Sequence, residues 1–270
     1  MKFKVGFISN IHKNKAEPSD LPPNVEPVIS RKSVVQVEFP NFQYKPTYYN
    51  DQFDLKVGDR VYVEGKLEGQ CGRVVDVSYT FKIKLSDYKR VIAVVDTTVK
   101  GQMYFADSYF LAFDPSVIPA SKIKTWFKTA VKEEYIYGQD EGRFRLADLH
   151  GLKVDHDVKA RGVEYYLDGA VAYISLDHSQ GYAIVVGRKP YEVEFTYRDG
   201  EIGNLNCDCF CSYHCKHEVA AMLQLRELLE KVEKHYAAQY ERAEYFAAIS
   251  KKTLFEFVVG EQACGSLTLN

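Results

Sequence analysis

The chain has 270 residues, 46% of them hydrophobic and 27% charged, with a formal net charge of −2. That is enough chain for one large domain or two of ordinary size, with the balance of a globule. No apolar run approaches the ~18 residues of a membrane span, and the near-neutral charge does not announce a nucleic-acid binder.

Twenty Tyr and 16 Phe are a high aromatic load. It points first to β-rich architecture, since aromatics suit pleated, half-buried surfaces, and second to stacking platforms for nucleic-acid bases. Residues 1–90 carry four more basic than acidic residues, and the remainder six more acidic than basic. The asymmetry is mild.

The first ten residues alternate, with Phe3, Val5 and Phe7 on one side, which predicts a strand rather than a signal peptide. A reducing, cytoplasmic home is therefore expected. Between Asn10 and Ser30 four prolines (Pro18, Pro22, Pro23, Pro27) and no periodicity predict a loop or linker. Val34–Phe39 begins a strand, followed by an irregular aromatic connection through Tyr44, Tyr48, Tyr49 and Phe53. Val57–Gly65 and Gly69–Val77 read as a hairpin around glycine-rich turns, and Phe81–Leu85 and Arg90–Val95 continue the meander. Five short strands between residues 34 and 96 predict a small barrel. If it binds anything, Arg60, Lys66, Arg73, Lys82 and Lys84 are the candidate contacts.

From Ser121, the expected N-cap, Ile123, Trp126, Phe127, Ala130 and Val131 recur at helical spacing. Lys122, Lys124, Lys128 and Lys132 line the polar side, as a solvated face or a phosphate contact. A polar break at 138–142 follows, then locally ambiguous sequence to Gly162. Gly162–Ile174 reads as two alternating runs around an Asp168-Gly169 turn, hence a hairpin. Gly181–Gly187 and Tyr191–Tyr197 add two strands, and Asp199-Gly200 turns the chain toward the cysteines.

Four of the six cysteines and two of the seven histidines fall within Cys207–His217. Cys207 and Cys209, at i and i+2 of an extended segment, point the same way and can grip one ion. Cys215 and His217 would close the cage from the start of the next helix, where the positive end of the helix dipole stabilises a thiolate. Soft sulfur and imidazole donors at this density are what a tetrahedral zinc ion needs. Cys211 and His214 lie in the spacer and allow rival sets such as Cys209, Cys211, His214 and Cys215. Free thiols or a disulfide are the remaining alternative. The helix after Lys216 shows Val219, Met222, Leu225, Leu229 and Val232 at helical spacing, a pattern that continues with a break through Tyr236, Tyr240, Phe246 and Ile249. A short segment from Thr253 to Val259 closes the fold, and Cys71 and Cys264 are read as inert.

In Cys207-Asp208-Cys209, the spacer, and Cys215-Lys216-His217 leading into Glu218–Leu223, the chain resembles the SWIM zinc finger over roughly residues 160–230. The resemblance implies Cys207, Cys209, Cys215 and His217 as zinc ligands and a module that binds DNA or protein, the latter by docking on a helicase or another enzyme. The β-unit of residues 34–96 is similar to small SH3-like or KOW-type barrels and to the N-terminal β-domain of the primosomal helicase. The expected class is α+β: an N-terminal small β-barrel domain (1–118), a connecting helix and linker (119–150), and a β-sheet with a zinc knuckle and helix (151–270). Arg188, Lys189, Arg198 and Lys216 flank the cysteines as candidate nucleic-acid contacts. An exposed apolar patch on the helix from Val219 would favour a protein partner instead.

No phosphate-cradling Gly-x-x-x-x-Gly-Lys-Ser/Thr, Gly-x-Gly-x-x-Gly, His-Glu-x-x-His or Gly-x-Ser-x-Gly pattern occurs. A set of three cysteines and one histidine fills a zinc ion's coordination and leaves no position for an activated water. The expectation is a structural zinc and no enzyme.

Overall fold

The computed structural model describes residues 2–6, 31–40, 42–128, 142–259 and 266–269. In chain order these form β1 (Lys2–Gly6), β2 (Ser33–Glu38), β3 (Thr47–Asn50), β4 (Arg60–Val63), β5 (Gly72–Ser78), β6 (Val91–Val95), β7 (Gly101–Ala106) and β8 (Tyr109–Ala112). Helix α1 (Ala120–Phe127), β9 (Phe144–Arg145) and α2 (His156–Leu167) precede a run of four strands: β10 (Val171–Asp177), β11 (Gln180–Val186), β12 (Pro190–Arg198) and β13 (Glu201–Cys207). The long α3 (Lys216–Ala243), β14 (Tyr245–Ser250), α4 (Lys251–Leu254) and β15 (Ser266–Leu269) complete the chain. Helices and two largely antiparallel sheets agree with the α+β class. No helix among the described residues is long and apolar enough to cross a membrane.

The chain divides into two compact units, one of Gly6–Val95 with Glu261–Ser266, the other of Met1–Val5, Asp96–Gly260 and Leu267–Asn270. The boundary expected from the sequence lies at residue 118; this division falls after residue 95. Strands β7 and β8 belong to the larger unit because they pair with β1 and β14, and α1 belongs there too rather than to a separate linker.

In the smaller unit five strands run in the order β3-β2-β5-β4-β6. Alternation on β2 sends Val35 and Val37 inward, where they meet Phe39, Leu55, Val61, Val63, Leu67, Val74 and Val91. One isolated parallel bridge joins Tyr49 to Arg90, on the two outer sides of that order. Five strands were expected, but one of them differs. Phe81–Leu85 is not a strand; Phe81 and Leu85 are exposed and Leu85–Asp87 is a 3₁₀ turn. The aromatic connection supplies the fifth strand instead, since Tyr48 and Tyr49 bury their rings where β3 pairs with β2.

The larger unit holds a ten-stranded sheet ordered β15-β1-β7-β8-β14-β10-β11-β12-β13-β9. Helix α3 lays Val219, Ala220, Met222, Leu225, Leu228 and Val232 on the face formed by Ile174, Leu176, Ala183, Val185 and Val193. Each large side chain buried there contributes about 1.5–3 kcal/mol over leaving it exposed. The apolar stripe of α3 is thus core, as a helix packed on the sheet requires, and Val219, Met222, Leu225 and Val232 offer no exposed patch that would favour a protein partner. Tyr173 of β10 is also fully buried, and its hydroxyl donates to the Ile118 carbonyl at 2.8 Å.

Three further expectations are corrected. Residues 162–167 are the second half of α2, not a strand. Gly162 permits the packing: an added Cβ would lie 2.4 Å from Val219 Cβ and 2.5 Å from its Cγ1, so only a glycine lets α2 approach α3 this closely. Asp168-Gly169 then ends the helix rather than turning a hairpin, with Gly169 at φ +65° and its N–H donating to the Tyr166 carbonyl. Helix α1 starts after Pro119, not with Ser121 as its cap. The pattern read through Phe246 and Ile249 is helical only to Ala243, where Glu244 adopts a left-handed conformation and β14 begins. The proline-rich stretch, Phe7, Ala130, Val131, Lys132 and Cys264 lie outside the described residues.

Candidate metal centre

Strand β13 delivers Cys207 opposite Val193 of β12, after an Asp199-Gly200 turn in which both residues have positive φ (53° and 81°). That is the geometry of a tight hairpin turn matching the twist of its strands. The chain bends after Cys207 and buries Cys209 against Tyr191 and Cys215. Cys215 is the N-cap of α3 and His217 sits in its first turn.

Ligand atoms of Cys207, Cys209, Cys215 and His217 all lie within 4.8 Å of one another, and three of the four residues are buried. The Nδ1 atom of His217 is 3.7 Å from Cys207 Sγ and 3.6 Å from Cys215 Sγ. A tetrahedron with bonds of about 2.3 Å to sulfur and 2.0–2.1 Å to nitrogen has a sulfur-to-nitrogen edge of about 3.6 Å. The group therefore fits a tetrahedral metal ion both in chemistry and in size. Cys211 is exposed and outside the cluster. His214 turns its Nδ1 to the Glu218 carboxylate at 3.0 Å.

Three thiols this close cannot all ionise without a cation. The Cys207 thiol, which hydrogen-bonds Cys215, and then the neighbouring His217 and Glu218 N–H hold the Cys215 thiol down to about 4. Its location at the helix N-terminus acts in the same direction. The same hydrogen bond with Cys215, followed by burial, pushes Cys207 well up, and burial pushes Cys209 up to about 12. Cys215 is thus the sulfur readiest to ionise, and a dipositive ion would displace protons from the others.

Two supports hold the ligands. On the helix side, Glu218 Oε2 accepts the Cys215 N–H at 2.8 Å, and the Glu218 N–H faces the Cys215 sulfur, a capping box with sulfur in the usual place of a hydroxyl. On the strand side, the buried Asp208 between the two cysteines accepts the Glu192 N–H at 2.8 Å and pairs with Lys128 just beyond α1. Lys128 also reaches Glu192 at 3.0 Å, and Lys124 of α1 reaches it at 2.6 Å. Burial works against the charge of Glu192, but hydrogen bonds from Lys124 and Lys128 outweigh it and keep its carboxyl below the usual range. Burial likewise opposes the charge of Lys128, and Asp208 and Glu192 more than offset it. The His217 ring stacks on Tyr191 at 4.0 Å and 19°.

The candidate cations separate. Arg188 and Lys189 lie in the turn before β12 and Lys216 at the start of α3, all beside the cluster; Lys189 and Lys216 rest over the Tyr191 and Tyr165 rings at 5.6 and 4.3 Å. Arg198 is not beside it. It pairs across from Glu201 at the far end of β12, five residues and roughly 17 Å along the strand from Val193. In the helix read as a basic face, Lys122 pairs with Asp96 and Lys124 and Lys128 pair as above, so these lysines serve the fold. Arg73 is bound to Glu38, and Arg60 is buried.

Sequence reasoning missed Asp208, Glu192 and Glu218, and read Lys128 only as a solvated or phosphate-contacting lysine. Glu218 had a signal, since a carboxylate three residues after an N-cap is the capping-box spacing. The Asp208–Lys128 pair spans 80 residues and had none. No family model matches the chain, and neither a curated protein nor a solved structure does.

Proposed function

We propose that the chain is a zinc-binding module of the SWIM type in which zinc is structural, and that it acts as a nucleic-acid (DNA) binding accessory protein rather than as an enzyme. The observation that carries this reading is the closed donor set: three sulfurs and one imidazole within 4.8 Å, which match zinc in softness and fill its tetrahedron. An ion held so has no open position for an activated water, and its work is to tie β13 to α3. Arg188, Lys189 and Lys216 around that tie supply the positive surface that phosphates require. The Tyr49–Arg90 bridge supports reading the smaller unit as the SH3-like barrel that accompanies it. The proposed setting is cytoplasmic.

The test is fluorescence-anisotropy titration of the zinc-loaded chain with single-stranded DNA, duplex DNA and RNA at several salt concentrations, repeated after chelation. Affinity that falls steeply with salt and disappears with the metal is the expected result. A folded, zinc-loaded chain that binds none of the three would remove the nucleic-acid reading and leave the protein-adaptor role.

A further inference from the structure

Beside the metal cluster lies a cavity of ≈ 280 Å³, walled by α2, the turn before β12, the knuckle loop and the first turn of α3. That is just below the roughly 300–1,000 Å³ of small-molecule sites, a size for one small group rather than a large ligand. Its charged lining side chains are Arg161, Arg188 and Lys216, and no carboxylate lines it. Three thiolates and a dipositive ion behind the wall sum to one negative charge, so the wall retains a positive excess.

One residue of the cavity wall also carries an unanswered donor. His217 is 3% exposed and lines the cavity, and its Nδ1 faces the sulfurs. Coordination through Nδ1 places the ring proton on Nε2. That atom is buried without a hydrogen-bond partner, and metal-bound imidazoles ordinarily donate this proton to an oxygen acceptor.

At the cavity stands one aromatic ring with nothing to cover it, and a second follows in the same loop. Phe210, which lines the cavity, is 93% exposed, and Tyr213 on the same loop is 89% exposed. An exposed aromatic ring next to a cationic cavity is the pairing used to hold an unstacked base and its phosphate.

We propose that this cavity receives one backbone phosphate of a single-stranded nucleic acid, with Phe210 stacking on the adjoining base. Arg188 and Lys216 bind the phosphate oxygens at the positive wall of the cavity. A duplex keeps its bases stacked on each other and cannot offer one to Phe210, so the site discriminates for single strands. The inference rests on the nucleic-acid reading above and specifies the strand state and the residues.

The experiment uses the zinc-loaded full chain, a labelled oligothymidylate, and the same strand annealed to oligoadenylate. Arg188→Gln and Phe210→Ala alter exposed side chains, so zinc content and circular dichroism should remain those of the unmodified chain. Each is expected to weaken oligothymidylate binding about tenfold, while duplex affinity changes less than about twofold in Phe210→Ala. Unchanged oligothymidylate binding in both variants would overturn the site and leave the nucleic-acid reading standing. Absence of nucleic-acid binding by the unmodified chain would overturn both. Displacement of the oligonucleotide by inorganic phosphate at matched ionic strength, with Phe210→Ala without effect, would assign the cavity to free phosphate and overturn the single-strand assignment.

Discussion

The helix half and the strand half of the metal cluster are held in unlike ways. Cys215 and His217 are placed by their own neighbourhood: a capping box closed by Glu218 three residues on, and the first turn of α3. Cys207 and Cys209 are placed from a distance. Their register comes from β12, and Asp208 between them is tied to Lys128, 80 residues earlier in the chain. A local half can form as soon as its helix does, whereas a remote half requires the sheet and α1 to be in place. A metal ion bound by the four would join the two, so each half should respond differently to substitution.

The largest effect is expected from removing a ligand on either side. Cys207→Ala or Cys215→Ala should abolish metal binding and forfeit on the order of 10 kcal/mol of folding free energy. Bound zinc by mass spectrometry and thermal unfolding would show it. Cys211→Ala should keep full metal content, and equal loss in that variant would displace the assigned ligand set.

Next comes pH. With Cys215 lowered to about 4 and Cys207 and Cys209 raised, ion binding at neutral pH should release about two protons. Each proton contributes about 1.4 kcal/mol per pH unit, so metal binding should weaken by about 2.7 kcal/mol for each unit that pH falls. The sign follows from protons and metal competing for the same sulfurs. Proton release on zinc addition in weak buffer measures it; a release of none would mean that the apo thiols are already ionised.

Lys128→Met sharpens the remote half. It leaves Asp208 and Glu192 buried with one cation fewer, and should weaken metal binding about tenfold and destabilise the larger unit by about 2 kcal/mol. A competitive chelator titration and denaturant unfolding report the two effects. Glu218→Ala tests the local half and should have the smallest effect, about 1 kcal/mol of stability, read from the same unfolding curves. If Glu218→Ala proves costlier than Lys128→Met, the division into local and remote halves is wrong.

The same division explains what the sequence disclosed. The four ligands were legible because their spacing is local: i and i+2 where a strand ends, N-cap and first turn where a helix starts. Asp208 was not, since a buried carboxylate declares itself only through a partner, and Lys128 lies on another element. Two Asp-Gly pairs make the point for the backbone. Asp199-Gly200 is a hairpin turn and Asp168-Gly169 a helix end. What separates them is the space at Gly162, which Val219 leaves only to a glycine. Phe81–Leu85 alternated like a strand yet is not one, and both sides of β5, the strand before it, are held by β2 and β4. Periodicity reports which face a segment prefers; pairing is decided by competitors elsewhere in the chain.

The pairing of β1 with β7 carries a consequence of another kind. Val5 stands opposite Gly101 in an antiparallel ladder, so the backbone enters and leaves the Gly6–Val95 unit through adjacent strands about 5 Å apart. Most of the smaller unit is thus an insertion between two paired strands of the larger one, the remainder being Glu261–Ser266. Within the larger unit, the register of Lys2–Val5 with Gly101–Tyr104 therefore closes across an insertion of 90 residues, Gly6–Val95, and Cys207, Cys209, Cys215 and His217 are all encoded after it.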